Sequence, residues 1–216
     1  MNPSLEIIRK RMKSTSYARF FAARRYDSLN NQSLFSLSIA SFSLIFVTLL
    51  QKYSSMPIFD STKLELIQLI ASIIIATLSI VVSFASFSIK SEKMRVSGEE
   101  INELVAKVDC INDLPWDSKT KKKATKIRKR YEILKAKSLN HKNFEFEYGK
   151  IERKREENKS EASYNCKVTF KSFIANLLPY IPFNIISLIS VFLVLYSISL
   201  YFDSNTPSVI GVICSC

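Results

Sequence analysis

Glycine and histidine are scarce in this sequence, and charged residues are missing from three long runs of it. The 216 residues include three glycines, six prolines and one histidine. So few glycines and prolines leave little material for strands joined by tight turns, and the chain is therefore predicted to be mostly helical. One histidine and four scattered cysteines have no spacing typical of metal ligands, so we expect no metal site.

The three charge-free runs are each long enough to cross a membrane. They cover residues 33–51, 66–89 and 183–202. A helix of about 20 apolar residues spans the roughly 30 Å hydrocarbon core of a bilayer. Because none of the runs has a charged face, we predict three transmembrane helices rather than helices buried in a soluble core. The first run begins too far along the chain, and is too long, to be a signal peptide.

The positions of lysine and arginine predict the side on which each segment lies. Seven precede the first run, two lie between the first and second, 22 lie between the second and third, and none follows the third. Since basic residues favour the cytosolic side, the N-terminus and the long middle segment are predicted to be cytosolic and the C-terminus to face outward. Cys214 and Cys216 would then lie outside as part of a short tail.

These observations predict an all-α integral membrane protein in four parts. The parts are a basic amphipathic helix (residues 1–32), a transmembrane hairpin (33–89), a cytosolic helical domain (90–169), and an interfacial segment with the third transmembrane helix and a tail (170–216). The first helix would either lie on the anionic inner leaflet or dock on the cytosolic domain. A helix is expected to start within the domain at Asp117 or Ser118, since either can act as an N-cap.

Small side chains recur along one face of the second charge-free run. They fall at helical spacing and are Ser72, Ala76, Ser79, Ser83 and Ser86; Ser36, Ala40 and Ser43 do the same in the first run. Small hydroxyl residues let transmembrane helices approach closely and hydrogen-bond to each other. Alternatively, they would line a weakly polar, water-filled path once several copies assemble.

A dense basic run lies between residues 119 and 130. It contains no acidic residue and consists of Lys119, Lys121, Lys122, Lys123, Lys126, Arg128, Lys129 and Arg130. Phosphate backbones attract such a run, but it has no aromatic residue for base stacking. Anionic lipid or an acidic partner could use the same charges.

The only histidine lies in a stripe that is otherwise largely apolar. Read as one helix, the stripe runs from Ile127 to Ile151 and includes Tyr131, Leu134, His141, Phe144 and Tyr148, with Asn140 beside it. It predicts a surface on which helices or subunits assemble. The alternation in FEFEY leaves a short strand from Phe144 to Tyr148 as an alternative. No P-loop, GxGxxG or HExxH motif occurs, so we expect no catalytic site and no cofactor.

The order of these features resembles a known family. An Arg-rich start (SYARFFAARRYDSLNNQS) precedes the Ser-rich hairpin, which a helical segment with Tyr131, Leu134, Asn140, His141 and Tyr148 follows. This arrangement, over about residues 15–160, resembles the SLATT family of prokaryotic two-transmembrane effector domains. The resemblance implies a homo-oligomeric effector of antiphage defence, proposed to form a pore in the bacterial inner membrane. It implies partners that are nucleotide-signal synthetases, nucleotide-sensing domains or, in one branch, reverse transcriptases.

Two functions from different classes are therefore expected. The first is a non-enzymatic pore-forming effector in which Ser72, Ser79, Ser83 and Ser86 line the path. The second is a membrane tether that binds a nucleic-acid-synthesising partner, such as a reverse transcriptase, through the basic run. Any contact with nucleic acid would then be made mainly through that partner.

Overall fold

A computed structural model describes residues 3–53, 60–112, 114–139, 142–157, 174 and 177–205. Within these ranges the chain is helical and contains no strand, which confirms the all-α prediction. The helices are α1 (Pro3–Tyr53), α2 (Ser61–Ala85), α3 (Phe87–Asn112), α4 (Ser118–Lys137), α5 (Asn143–Glu157) and α6 (Ile181–Asn205), and a 3-10 turn (Leu178–Tyr180) precedes α6.

Three of the described helical segments are long and apolar enough to cross a membrane. They are Pro3–Tyr53, Thr62–Ile111, which joins α2 and α3, and Leu178–Phe202. Each contains one of the charge-free runs, so the prediction of three potential membrane spans is confirmed. The sides on which the termini lie stay a prediction.

The chain divides into two compact units. Met1–Asn30 with Ser86–Pro179 forms one, here called the head unit, and Asn31–Ala85 with Tyr180–Cys216 forms the other, here called the membrane unit. Helix α1 contributes its first part to the head unit and its second part to the membrane unit, without a break in the helix. The boundary predicted after residue 32 therefore lies inside one continuous helix.

In the head unit, the first part of α1 is surrounded by the other helices. Leu5 and Met12 pack in one cluster with Ile101 and Val108 of α3 and with Tyr131 of α4. Burial of an apolar face stabilises a helix against its neighbours at about 25 cal/mol per Å². Of the two arrangements left open for this basic helix, the structure shows the docked one.

Helix α4 runs antiparallel to α3. The side chain of Asp117 accepts a hydrogen bond from the Thr120 backbone N–H at 2.7 Å, which caps the start of α4 as predicted. At the other end of α4, Lys137 and Leu139 line a groove with Glu92 and Val96 from the start of α3. A linker of five residues between the two helices requires this antiparallel course.

The apolar stripe predicted as one helix is divided between two. Helix α4 ends at Lys137, Ser138 is extended, and α5 starts at Asn143, so the single-helix prediction is wrong. The physical reason is a new helix start: the Glu145 carboxylate accepts a hydrogen bond from the Lys142 backbone N–H at 2.6 Å. The alternative strand from Phe144 to Tyr148 is also wrong, since these residues are helical. Asn140 and His141 lie outside the described residues.

In the membrane unit, small side chains of α1 are covered. Ser33, Ser36, Ala40 and Ser43 are all buried, as is Ser197 of α6. Two polar contacts join the helices: Gln68 of α2 donates to Thr48 at 2.8 Å, and Gln32 donates to Asn184 of α6 at 2.6 Å. Small residues permit the close backbone approach on which packing in lipid depends. For α1, the burial of these side chains within one chain is what the packing interpretation predicts.

Candidate functional site

The candidate site is the core of the head unit, where α1 meets α3 and α5. Small side chains make the close contacts possible: a Cβ added at Gly149 of α5 would lie 2.2 Å from the backbone oxygen of Ser14 and 2.9 Å from the backbone nitrogen of Ala18. Helix α5 therefore crosses α1 with its backbone almost in contact. Gly149 is required here because any larger residue would push the two helices apart.

A buried ion pair lies beside this crossing. The Arg25 Nη2 atom lies 2.7 Å from the Glu145 Oε1 atom, and Arg25 Nε donates to the same oxygen at 2.9 Å. The guanidinium also lies over the Phe144 ring, 5.6 Å from its centroid. Charge, hydrogen bonding and cation–π contact together hold α1 against the start of α5.

Arg19 is buried on the side of α1 that faces α3. Its Nη1 atom donates to the Ser97 hydroxyl, whereas its Nε atom has no hydrogen-bond partner among the described residues. Burial lowers the pKa of the Arg19 guanidinium, because a low-dielectric surrounding penalises its charged form. The contact with α3 therefore contains a buried cation that no carboxylate fully neutralises.

Further ion pairs surround this core. Arg9 Nη2 donates to the Asp109 carboxylate of α3 at 3.3 Å, and Lys13 Nζ donates to Glu156 of α5 at 3.1 Å. The Tyr17 hydroxyl donates to the same Glu156 carboxylate at 2.5 Å. Burial, followed by this hydrogen bond, raises the pKa of Tyr17 to about 12. The hydrogen bond from Tyr17 is the first cause that lowers the pKa of Glu156, and Lys13 adds to it.

Three of the predicted assembly residues contact α1 of the same chain, and a fourth packs in the same core. Tyr131 is buried, and its hydroxyl lies 2.9 Å from the Thr15 hydroxyl; Leu134 packs against the same cluster. Tyr148 stacks on Phe21 with ring centroids 4.1 Å apart, and Phe144 meets the edge of that ring. These four residues therefore build the interior of the head unit. Their proposed role between copies stays a prediction.

The serines that were predicted to line a path differ in exposure from the buried serines of α1. Ser72, Ser79 and Ser83 are exposed and Ser86 is half-buried, whereas Val82 is buried against the rest of the chain. Ser86 also has a φ of 50°, at the point where α2 gives way to α3. Ser72, Ser79 and Ser83 are thus left uncovered by the part of the chain that the structure describes.

The basic run occupies the exposed side of α4. Its side chains are all exposed, and none forms an ion pair with another described residue. Thr120 and Tyr131 are the residues of α4 that are buried. The run is therefore fully available to a partner.

Sequence reasoning missed the buried charges of the head unit, which are Arg19, Arg25 and Glu145. The basic helix was expected either to lie on the inner leaflet or to dock on the cytosolic domain, and no buried ion pair was predicted. One available signal was the small residues that accompany Arg19 and Arg25 in SYARFFAARR (Ser16, Ala18, Ala22 and Ala23), because small residues permit the close approach of another helix. No group of three or more His, Cys, Asp or Glu side chains is placed to hold a metal ion within the described part of the chain.

Comparison with known protein families gives a match over most of the chain. The family model described as "SMODS and SLOG-associating 2TM effector domain family 5" matches residues 1–197. The match covers more of the chain than the expected residues 15–160 and extends into α6. No curated protein and no solved structure matches the chain.

Proposed function

Because the chain belongs to the SMODS and SLOG-associating 2TM effector domain family 5, we propose that it is the membrane effector of a bacterial antiphage defence system. Copies of it would assemble in the inner membrane and open a pore when a partner enzyme, or the product of that enzyme, triggers them. The partner would be a nucleotide-signal synthetase or a reverse transcriptase. The effector itself would carry out no reaction.

The observation that carries this proposal is the uncovered small-residue face of α2. Ser79 and Thr77 both donate hydrogen bonds to their own helix backbone at 2.8 Å and are both exposed. They differ in position: Ser79 lies on the face shared with Ser72 and Ser83, whereas Thr77 lies about 160° away around the helix. A small, weakly polar face is what neighbouring helices need in order to pack closely around a hydrated path.

The contacts within the head unit would allow a partner that binds there to act on α1. Its ion pairs attach α3 and α5 to the first part of α1, and α1 continues without a break through residues 33–51. A helix transmits displacement along its axis because each residue is hydrogen-bonded to the next turn. A partner that shifts α3 or α5 against α1 would therefore act on a helix that also belongs to the membrane unit.

The test compares substitution to leucine at two positions of α2 that are both exposed and both hydrogen-bonded to their own helix. Ser79→Leu fills the small-residue face, whereas Thr77→Leu adds a leucine to the opposite side of α2. Cells that express each variant would be loaded with a membrane-potential dye and given the defence trigger. We expect the wild type and Thr77→Leu to depolarise, and Ser79→Leu to stay polarised.

Two results would count against the proposal. One is a wild-type cell that stays polarised after the trigger. The other is an equal response from both variants at equal amounts of protein in the membrane, because the small face of α2 would then have no particular role.

A further inference from the structure

The basic run of α4 is a dense row of charges that form no ion pair with the residues that the structure describes. Lys122, Lys126 and Lys129 lie on the side of α4 opposite to the buried Thr120 and Tyr131. Like charges at spacings of three and four repel one another along a helix. Such a row is stabilised when a partner of opposite charge lies along it.

We propose that this face binds the phosphate backbone of a double-stranded nucleic acid directly. This proposal goes beyond pore formation and does not depend on it. It also differs from the expectation that nucleic acid is contacted mainly through a partner enzyme.

The charge density of the run is close to that of a duplex when its whole exposed side is counted. Eight positive charges lie within 12 residues, about one for every 2 Å of helix axis at 1.5 Å per residue. They are spread over the exposed side of α4, with Lys122, Lys126 and Lys129 along its middle. A nucleic-acid duplex carries one negative charge for about every 1.7 Å of its axis. Protein surfaces mix both signs of charge, and a partner protein would need an unusually acidic face to match this density.

The composition of the run favours a duplex over a single strand. Binding of single strands depends on aromatic side chains on which the bases stack, and residues 119–130 contain none. Contacts to a duplex backbone need only flexible cations, and lysine and arginine supply them. Since the proposed contacts are made to phosphate rather than to base edges, the binding is expected to be independent of base sequence.

Anionic lipid headgroups also carry phosphate, and the experiment below separates a lipid surface from a duplex by changing the lipid composition.

The experiment measures binding of a labelled duplex of about 20 base pairs by fluorescence anisotropy. The protein is the full chain in nanodiscs of zwitterionic phosphatidylcholine, and separate arms use duplex DNA, duplex RNA and a single strand of the same length. The variant replaces Lys122, Lys126 and Lys129 with glutamine. Its control replaces Lys93, Lys107 and Lys154, which are exposed lysines of α3 and α5, so both proteins lose the same charge.

We expect the wild type to bind a duplex more tightly than the single strand, with log Kd linear in log salt concentration. Each lysine contact that is removed should reduce the slope by about 0.9, so the α4 variant should lose between two and three units of slope. Its affinity should fall by roughly tenfold or more at low salt. The control variant should stay within about twofold of the wild type. A preference for DNA or for RNA would identify the source of the duplex, and either supports the proposal.

Several results would overturn it. The α4 variant could bind as tightly as the wild type, or the control variant could lose as much affinity. Polyglutamate could displace the duplex at equal concentration of charge, which would identify an acidic protein as the better partner. Nanodiscs that contain anionic lipid could abolish duplex binding to the wild type, which would place the run on the membrane.

Discussion

Arg25 of α1 and Glu145 of α5 are 120 positions apart in the chain and form an ion pair in which the side chains are 3% and 1% exposed. The same glutamate accepts the hydrogen bond from the Lys142 backbone N–H that begins α5. One carboxylate therefore fixes both the start of α5 and its attachment to α1. Loss of either partner would leave the other as an uncompensated buried charge, which is among the most costly defects in a protein interior.

Arg25→Met is expected to destabilise the head unit by about 3–5 kcal/mol, because Glu145 is then buried without its cation. The measurement is thermal unfolding in detergent, with proteolysis of α5 as a second readout. Arg24→Met is the control, since Arg24 is exposed and its loss should change the unfolding free energy by less than about 0.5 kcal/mol. Equal stability of the two variants would contradict the role given to this pair.

Gly149→Ala is expected to destabilise the head unit by roughly 1–3 kcal/mol or more, through the contact of its new Cβ with the Ser14 backbone oxygen. Alanine would otherwise favour the helix by about 1 kcal/mol, so the steric effect must exceed that gain. Gly98→Ala is the matched control, because its Cβ would meet only the Phe20 ring, at 3.2 Å. The measurement is thermal unfolding of both variants. A Gly149→Ala protein that is more stable than the wild type would refute the close crossing of α1 and α5.

The Glu156 contacts should stabilise the head unit in a pH-dependent way. The pKa of Glu156 is held below its ordinary value of 4.5 by the hydrogen bond from Tyr17 and by Lys13. A carboxyl group whose pKa is depressed by folding adds stability above the unfolded-state pKa and loses it as the pH falls through the folded-state pKa. Glu156→Gln should therefore unfold at a lower temperature than the wild type at neutral pH, and the two should converge below pH 4.5. A difference that stays constant down to about pH 3 would contradict this linkage.

Tyr131 should behave as a core residue of one chain. Tyr131→Phe loses the contact with the Thr15 hydroxyl and is expected to cost about 1 kcal/mol. Tyr131→Ala leaves a cavity and is expected to cost about 3–5 kcal/mol. Thermal unfolding and light scattering after size-exclusion chromatography separate this role from one in assembly. A Tyr131→Ala protein of normal stability but smaller oligomer size would show that Tyr131 acts between copies.

The helices were predictable because their signals are local. Absence of charge over residues 33–51, 66–89 and 183–202 identifies the apolar segments without knowledge of any contact. The cap at Asp117 depends on a bond only three residues long, and it was predicted correctly. The fold class and the family follow from features of this kind.

The interior of the head unit was less predictable because its contacts join distant parts of the chain. The burial of Arg25 depends on Glu145, and periodicity within α1 contains no information about that partner. The stripe from Ile127 to Ile151 keeps a helical spacing across the break between α4 and α5, so its pattern concealed the break. The sequence likewise left undetermined which side of α2 packs within its own chain. Small residues suit contact within one chain as well as contact between copies.

Helix α1 also sets an order of events during synthesis. Its first 30 residues leave the ribosome early, yet Lys13 contacts Glu156, which is made 143 residues later. At a translation rate of about 20 residues per second or slower, the wait is roughly 7 s or longer. The head unit therefore cannot close around α1 until α5, with Gly149 and Glu156, has been synthesised.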